Sequence, residues 1–155
     1  MKTAIIYYSR HHGNTKKLLD ALAAQGEVDL FDVTGDREPD LLPYDLIGFA
    51  SGIYYSSFHD SVLQFAGRNL PCGKAVFLIY TYGVKRNNYT NAISQVARAK
   101  DSRIVGEYGC RGFDTYGPLS RIGGIAKGRP NDRDIARAVR FFEELGKTAT
   151  HCTER

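Results

Sequence analysis

Apolar and polar positions follow two different periods along the chain. Short, largely apolar runs predict buried strands, and apolar residues that recur three or four positions apart predict amphipathic helices. Because strands alternate with helices, the pattern predicts an α/β fold: a three-layer sandwich around a doubly wound, five-stranded parallel sheet. The predicted strands span residues 3–8, 28–33, 44–50, 75–80 and 104–108, and the predicted helices span 16–24, 58–66 and 88–99, with a last helix from Asn131.

Local signals mark several ends of these elements. Gly26 is expected to end the first helix, because glycine is common just beyond a helix C-terminus. Asn131 is expected to cap the last helix, since its side chain can accept a hydrogen bond from the N–H three residues further on. Residues 110–129 are expected to form a long connection between the last strand and the last helix. The polar tail from Lys147 is expected to fray. We expect residues 1–155 to form a single domain.

Composition narrows the class of protein. Apolar residues make up 43% of the 155 residues and charged residues 25%, as in ordinary globular proteins. No apolar run reaches the roughly 20 residues of a membrane-spanning helix, and no signal peptide is recognisable. The three cysteines, Cys72, Cys110 and Cys152, are far apart, match no zinc site and predict no disulfide framework. We therefore expect a cytoplasmic protein without a membrane span or metal, in which Cys110 packs at a strand end.

The formal net charge of +4 is unevenly distributed. Residues 85–140 hold twelve Lys and Arg against five Asp and Glu, whereas residues 1–84 hold seven against nine. A basic segment can attract nucleic acid, an acidic protein or an anionic substrate, or it can simply be a solvated surface. We expect no nucleic-acid partner, because the chain has no zinc-finger spacing, RNA-binding signature or helix-turn-helix pattern.

Three loops follow the carboxyl ends of predicted strands, where ligands bind in doubly wound sheets. They comprise residues 9–15, 51–57 and 81–88. The first combines hydroxyls, an amide and one glycine at the start of a helix, whose N–H groups and dipole favour an anion. It lacks the Gly-Lys-Ser/Thr end of a triphosphate loop and the three glycines of a dinucleotide turn. We therefore expect it to hold a single terminal phosphate.

Tyrosines in the second and third loops indicate the other end of the ligand. Aromatic side chains at the mouth of a sheet can sandwich a flat ring, with Tyr82 the expected partner of that ring and Tyr89 the alternative. A single phosphate at one end and a flat aromatic ring at the other describe flavin mononucleotide (FMN). The candidate cofactor-binding residues are Ser9, Arg10, His11, His12, Gly13, Asn14, Thr15, Ser51, Gly52, Ile53, Tyr54, Tyr55, Thr81, Tyr82 and Gly83.

These residues and their order give the chain a resemblance to the flavodoxins that extends almost from end to end. Residues 13–15 match the end of the family's phosphate loop, Ser/Thr-x-Thr-Gly-x-Thr, with His12 in place of a threonine. Residues 44–54 resemble the family's second flavin loop, with Tyr54 where many flavodoxins have a tryptophan against the flavin. The stretch 112–131 is similar to a subgroup of small bacterial flavodoxin-like proteins. The resemblance implies a flavodoxin-like fold, bound FMN and electron transfer between redox partner proteins.

The chain departs from the family pattern in three places. Electron-carrying flavodoxins are typically strongly acidic, whereas this chain has a pI near 9.0 and a third loop that is basic at Lys85 and Arg86. The turn expected beside the flavin usually contains a glycine, and Tyr55 and Ser56 stand there instead. The charge implies an acidic partner or a different flavin chemistry. Residues 113–115 are expected to close the long connection rather than to border the flavin.

Three functions follow from this reading, in order of preference. The first is an electron carrier that shuttles electrons between partner proteins and turns over no substrate alone. The second is an FMN-dependent oxidoreductase of the same fold, acting on quinones or porphyrinogens. The third is a binding module without redox activity that uses the phosphate loop for another ligand. The sequence does not indicate which proteins are partners or what the oligomeric state is.

Overall fold

A parallel sheet between two pairs of helices forms the molecule. The computed structural model describes residues 1–152. For residues 150–152 it describes only the backbone. The parallel strands are arranged β2-β1-β3-β5-β6, and the short β4 pairs antiparallel with the end of β3. In chain order the elements are β1 (Thr3–Tyr8), α1 (Asn14–Ala23), β2 (Val28–Asp32), β3 (Leu46–Tyr54), β4 (Ser57–Phe58), α2 (Asp60–Asn69), β5 (Ala75–Tyr82), α3 (Asn91–Ala99), β6 (Arg103–Arg111), a 3₁₀ helix (Gly117–Ile122) and α4 (Asp132–Cys152).

This arrangement confirms the predicted doubly wound sheet of five parallel strands. Successive side chains of a strand point to opposite faces, so Ile6 packs in one core and Ile5 in the other. Helices α2 and α3 cover the first face, and α1 and α4 cover the second. Burial on both faces explains why β1 and β5 read as unbroken apolar runs. The largest fully buried side chains include Phe49, Phe58, Phe77, Leu18, Leu19, Leu22 and Ile47.

The cap of α4 confirms the role predicted for Asn131. The Asn131 side chain accepts from the Asp134 N–H at 3.0 Å, and the Asp134 carboxylate accepts from the Asn131 N–H at 2.9 Å. The Arg129 guanidinium donates two further hydrogen bonds to Asp134, at 2.5 and 2.6 Å. Burial alone would raise the pKa of Asp134, but Arg129 and the Asn131 N–H outweigh it and hold that pKa below its usual value.

Several predicted boundaries are corrected at the ends of the elements. The strands β3, β5 and β6 continue to Tyr54, Tyr82 and Arg111, so part of each predicted loop belongs to the sheet. Helix α1 ends at Ala23 with a right-handed cap, and Gly26 does not adopt the left-handed conformation of a C-terminal glycine. The predicted strands ended too early, because hydrogen bonds to neighbouring strands extend a strand through small and polar residues that sequence propensity assigns to loops.

The last helix also differs from its prediction. It continues to Cys152, so fraying from Lys147 is wrong for residues 147–152, and residues 153–155 lie outside the described residues. Near its start, Cys110 is buried against the core of α1 and α4, as expected of a packed strand end. Burial raises the pKa of the Cys110 thiol to about 12, so it is not a reactive thiolate at neutral pH.

Candidate functional site

A cleft opens at the carboxyl ends of β1, β3, β5 and β6. The open space between its walls, including solvent at the mouth, is about 640 Å³. The cleft lies at the switch point of the sheet, where the chain crosses from β1 to β2 on one side and to β3 on the other. Its lining comprises Ser9, His11, Asn14, Thr15, Gly52, Ile53, Tyr54, Tyr55, Thr81, Tyr82, Gly83, Gly112, Phe113, Asp114 and Tyr116.

The first loop turns sharply before it enters α1. His12 and Gly13 both have positive φ, 55° and 63°, and Gly13 is the residue before the helix. The Ser9 hydroxyl accepts from the Lys16 N–H at 3.1 Å. Among the described residues, no backbone carbonyl or side chain accepts a hydrogen bond from the N–H groups of residues 12 and 13, and the N–H groups of Arg10 and His11 face the Tyr54 hydroxyl. These free donors, together with the helix dipole, form an anion-binding turn.

Helix α1 begins earlier than predicted, and this brings two polar side chains to the cleft. Asn14 and Thr15 lie in its first turn and are nearly completely buried. The Thr15 hydroxyl lies 2.9 Å from that of Thr81, which reaches the cleft from β5. The Asn14 amide donates to the Phe113 carbonyl at 2.9 Å, while its buried Oδ1 has no hydrogen-bond partner among the described residues. An unpartnered buried acceptor is suited to a hydroxyl donor on a ligand.

The second predicted loop is largely strand. Residues 51–54 belong to β3, and the turn to β4 contains only Tyr55 and Ser56, at φ 48° and 63°. Positive φ at both turn residues is the geometry that usually selects glycine or asparagine, and each larger residue there costs roughly 1–2 kcal/mol. Tyr55 is 90% exposed at the mouth of the cleft. Ser51 is fully buried, and its hydroxyl accepts from the His59 N–H at 3.0 Å.

Tyr54 is held between the first loop and an aromatic pair. Its ring meets Tyr8 and His59 edge-on, at centroid distances of 5.5 and 5.2 Å, and those two rings stack at 3.7 Å. The Tyr54 hydroxyl is buried without a hydrogen-bond partner among the described residues. Burial raises the pKa of Tyr54, while the N–H groups of His11 and Arg10 act in the opposite direction. The hydroxyl is therefore directed towards the phosphate loop.

Tyrosines also form the wall on the β5 side. Tyr82 lines the cleft and lies 6.0 Å from the Tyr80 ring and 5.8 Å from the Tyr89 ring. Tyr89 is buried behind it, with its hydroxyl bonded to the Val84 carbonyl, and does not reach the cleft. Of the two tyrosines considered for ring stacking from the third loop, the structure thus brings only Tyr82 to the cleft.

Residues 112–116 form a wall that sequence analysis assigned to the connection. The Thr115 N–H donates to His11 Nε2 at 3.2 Å, and the same nitrogen lies 3.4 Å from the Asp114 carboxylate. His12 Nε2 lies 2.9 Å from the Thr115 hydroxyl, and the hydroxyls of Tyr55 and Tyr116 meet at 2.9 Å. The available signal was position, since this segment follows the carboxyl end of β6 as the other loops follow their strands.

Most of the candidate residues therefore meet in one place. The cleft is lined by eleven of the fifteen, whereas Arg10, His12, Gly13 and Ser51 do not line it. The Arg10 guanidinium is bonded to Thr34 and lies 3.9 Å from Asp32, at the end of β2. His12 and Gly13 shape the turn, and Ser51 fixes the start of α2.

The described residues contain neither a metal centre nor a membrane-spanning helix. No group of three or more His, Cys, Asp or Glu side chains is placed to hold a metal ion within residues 1–152. In the same part of the chain, no helix is both long and apolar enough to cross a membrane.

A doubly wound sheet of this order, with an anion-binding turn and an aromatic-walled cleft at its carboxyl edge, defines the flavodoxin-like class of α/β proteins. A family model described as "Flavodoxin domain" matches residues 5–102, which is more than half of the chain. The chain therefore belongs to the flavodoxin family.

Individual relatives agree with this assignment. The chain is 34% identical over 151 residues to an uncharacterized protein of Methanocaldococcus jannaschii, covering 95% of this chain and 99% of that protein. A flavodoxin from the domain Archaea superposes with a TM-score of 0.70 at 17% identity, over 97% of this chain and 100% of that one. A Fusobacterium nucleatum flavodoxin bound to FMN superposes with a TM-score of 0.67 at 14% identity, over 96% and 99%. These structural likenesses show the fold.

Proposed function

We propose that this protein is a single-domain electron carrier, spanning residues 1–155, that binds FMN in the cleft and exchanges electrons with partner proteins. The observation that carries the proposal is the opposition of an anion-binding turn and an aromatic wall across one cleft. The turn is formed by residues 9–15, and Tyr55 and Tyr82 stand on the other side. The similar Fusobacterium nucleatum flavodoxin, whose structure contains FMN, supports the choice of this flavin.

The residues present fit FMN at both ends. The free N–H groups of residues 12 and 13 and the Ser9 and Thr15 hydroxyls would hold the phosphate, which a helix N-terminus favours. The unpartnered Asn14 Oδ1 would accept from a ribityl hydroxyl. Tyr55 and Tyr82 would bracket the ring system, because both line the cleft. Bound FMN would supply the electron-transfer chemistry, which no side chain of the protein can provide.

The protein's own part is to orient the flavin and to limit the access of water to it. Residues 112–116 contribute to this, since Asn14 and His11 tie the segment to the first loop. The hydroxyl contact between Tyr55 and Tyr116 joins the two sides of the cleft at its mouth. Such closure keeps electrons for a docked partner rather than for dissolved oxidants.

The proposal includes a reducing compartment and redox partner proteins. Cys72 is exposed and free, which is compatible with a cytoplasmic location. A second candidate, an FMN-dependent oxidoreductase acting on a small substrate, is favoured by one observation. His11 and Asp114 face each other at 3.4 Å in the cleft wall and could exchange a proton with a substrate.

Stepwise reduction of the purified protein, followed by absorption, tests the proposal. We expect a yellow protein with one FMN per chain, whose flavin accepts electrons from NAD(P)H slowly when the protein is alone and rapidly when a reductase is added. A colourless protein to which added FMN does not bind would refute flavin binding. Rapid turnover of a small substrate by the protein alone would favour the oxidoreductase.

A further inference from the structure

Exposed apolar side chains concentrate at the mouth of the cleft. Six large apolar side chains are exposed among the described residues, and two of them, Tyr55 and Tyr116, line this cleft. Val84 follows the lining residue Gly83, and Ile122 ends the 3₁₀ helix that follows Tyr116. Tyr55 and Tyr116 are 90% and 65% exposed, and Val84 and Ile122 are 48% and 72% exposed. Apolar side chains that are gathered at one functional edge, rather than scattered, mark a surface that contacts another molecule.

Positive charge flanks this apolar surface on one side only. Residues 83–90 and 111–129, which follow β5 and β6, together contain six Lys and Arg and a single acidic residue, Asp114. Among the described residues, Arg129 is the one of these six that forms an ion pair. The side chains of the other five make no hydrogen bond or ion pair with any described residue: Lys85, Arg86, Arg111, Arg121 and Lys127. On the far side, residues 33–44 carry three acidic residues and one arginine.

A second cleft brings part of this charge next to the first. It is lined by Lys85 and Arg86 together with Tyr80, Tyr82 and Tyr89, and Tyr82 also lines the flavin cleft. Glu107 is the acidic residue of this cleft. The bond from the Tyr89 hydroxyl to the Val84 carbonyl fixes the loop that carries the two cations. The positive surface therefore begins one side chain away from the proposed ring site.

We propose that an acidic redox protein docks on this surface, with its carboxylates on Lys85 and Arg86 and its apolar contact on Tyr116 and Ile122. The inference rests on the proposed function and specifies the partner of that same site. An apolar centre with a charged margin is the composition of a protein–protein interface. Nucleic acid is the less suitable ligand, because phosphate binding requires a row of cations rather than apolar side chains. Docking here would place the partner beside Tyr82, at the exposed edge of the flavin.

Binding of a labelled acidic plant-type ferredoxin, measured by fluorescence anisotropy, tests the inference. We expect binding at about 10 mM salt that weakens at least tenfold by about 200 mM, because screening shortens the reach of the charges. Basic cytochrome c is expected not to bind. The double variant Lys85→Glu/Arg86→Glu should weaken ferredoxin binding by about tenfold or more at low salt.

The matched control reverses two exposed cations near the amino end of β6, at the opposite end of the strands from the cleft, in Arg98→Glu/Arg103→Glu. It has the same net charge, so we expect its affinity to stay within about twofold of the parent protein. Equal weakening by both pairs would reduce the effect to net charge and overturn the inference. An unchanged Lys85→Glu/Arg86→Glu affinity, or tighter binding of a mixed-sequence DNA duplex than of ferredoxin, would do the same.

An apolar variant tests the centre of the surface. Ile122→Ser should weaken ferredoxin binding about threefold at both salt concentrations, since burial of apolar area is not screened by ions. Anisotropy needs no electron transfer, and the absorption spectrum reports flavin content separately. A flavin-loaded protein that does not bind ferredoxin therefore refutes the docking surface alone, whereas a protein without affinity for FMN refutes the proposed function.

Discussion

The paired hydroxyls of Thr15 and Thr81 allow a test that separates folding from ligand binding. They lie 2.9 Å apart, and both residues are nearly completely buried. Replacing one threonine by valine preserves shape but leaves the other hydroxyl buried without this partner. Such a group costs about 1–3 kcal/mol, so we expect Thr15→Val and Thr81→Val each to lower the free energy of unfolding by about 1–2 kcal/mol. Replacing both partners removes the unpaired group, so the double variant should return to within about 0.5 kcal/mol of the parent.

FMN affinity is expected to behave differently. Thr15 lies in the anion-binding turn, and a hydrogen bond to a charged group contributes about 1.5–3 kcal/mol. Thr15→Val should therefore weaken FMN binding by about tenfold or more, and the added Thr81→Val should not restore it. Thr3→Val is the matched control, because the Thr3 hydroxyl is fully buried, far from the cleft and has no partner among the described residues.

Urea unfolding of the flavin-free variants gives the stability cycle, and fluorescence titration with FMN gives the affinities. If the stability losses of the two single variants added up in the double variant, the hydrogen bond between the Thr15 and Thr81 hydroxyls would be refuted. Recovery of FMN affinity in that variant would show that Thr15 acts through the packing of Thr81, and would remove it from the phosphate site. A large loss in Thr3→Val would mean that the Thr→Val change itself is harmful.

Two further predictions concern buried polar groups. Asp134→Asn should lower stability by about 2–3 kcal/mol at neutral pH, because the carboxylate accepts three hydrogen bonds there. The pKa of Asp134 is lower in the folded protein than in the unfolded chain, where it is about 3.9. The carboxylate therefore stabilises the fold above the unfolded-state pKa, and this stabilisation is lost as pH falls through the folded-state pKa. The difference between the parent and Asp134→Asn in urea melts should therefore stay constant from pH 7 to about pH 5 and shrink as pH falls below about 4, and a difference that did not shrink there would contradict the assignment. Tyr54→Phe removes a hydroxyl that lacks a partner and should leave the stability of the flavin-free protein unchanged or higher. Tyr44→Phe is its matched contrast, since the Tyr44 hydroxyl donates to Asp29 at 2.7 Å and burial with this bond raises the pKa of Tyr44 to about 12. We expect a loss of about 1–2 kcal/mol there by thermal unfolding, and equal effects of the two changes would contradict this reasoning.

The order of strands and helices was readable from the sequence because burial on both faces leaves long apolar runs. Strands β1 and β5, at the centre of the sheet, were predicted with correct starts and types. The predicted ends of the strands were less accurate, because hydrogen bonding to a neighbouring strand can extend a strand through residues whose composition is typical of a loop. Residues 51–54 are small and polar enough to read as a loop, yet Ser51 and Gly52 pair with Tyr80 and Thr81 of β5. Pairing of this kind depends on a partner some thirty residues away, which local pattern does not contain.

The cleft was predictable in part for the same reason. Loops that follow predicted strands were found, whereas the wall at residues 112–116 was not, because β6 was predicted to end at residue 108 and actually ends at Arg111. The extra strand residues bring Phe113 directly to Asn14. The direction in which a loop side chain points could not be predicted from the sequence either. Arg10 sits in the predicted loop but is held by Thr34 and Asp32, outside the cleft, through contacts that join different segments of the chain.

The two histidines of the first loop show how a departure from the family pattern can be accommodated. A histidine stands where flavodoxins usually have a threonine, and that position would ordinarily offer a hydroxyl to the phosphate. Here the His12 ring turns away to Thr115 and packs on Phe113 at 4.4 Å, while His11 accepts from the Thr115 N–H. The imidazoles thus fasten the wall of the cleft, and anion binding is left to the backbone N–H groups and the remaining hydroxyls. Burial and the neighbouring His11 lower the pKa of His12, which disfavours a positive charge on this ring beside the proposed phosphate site.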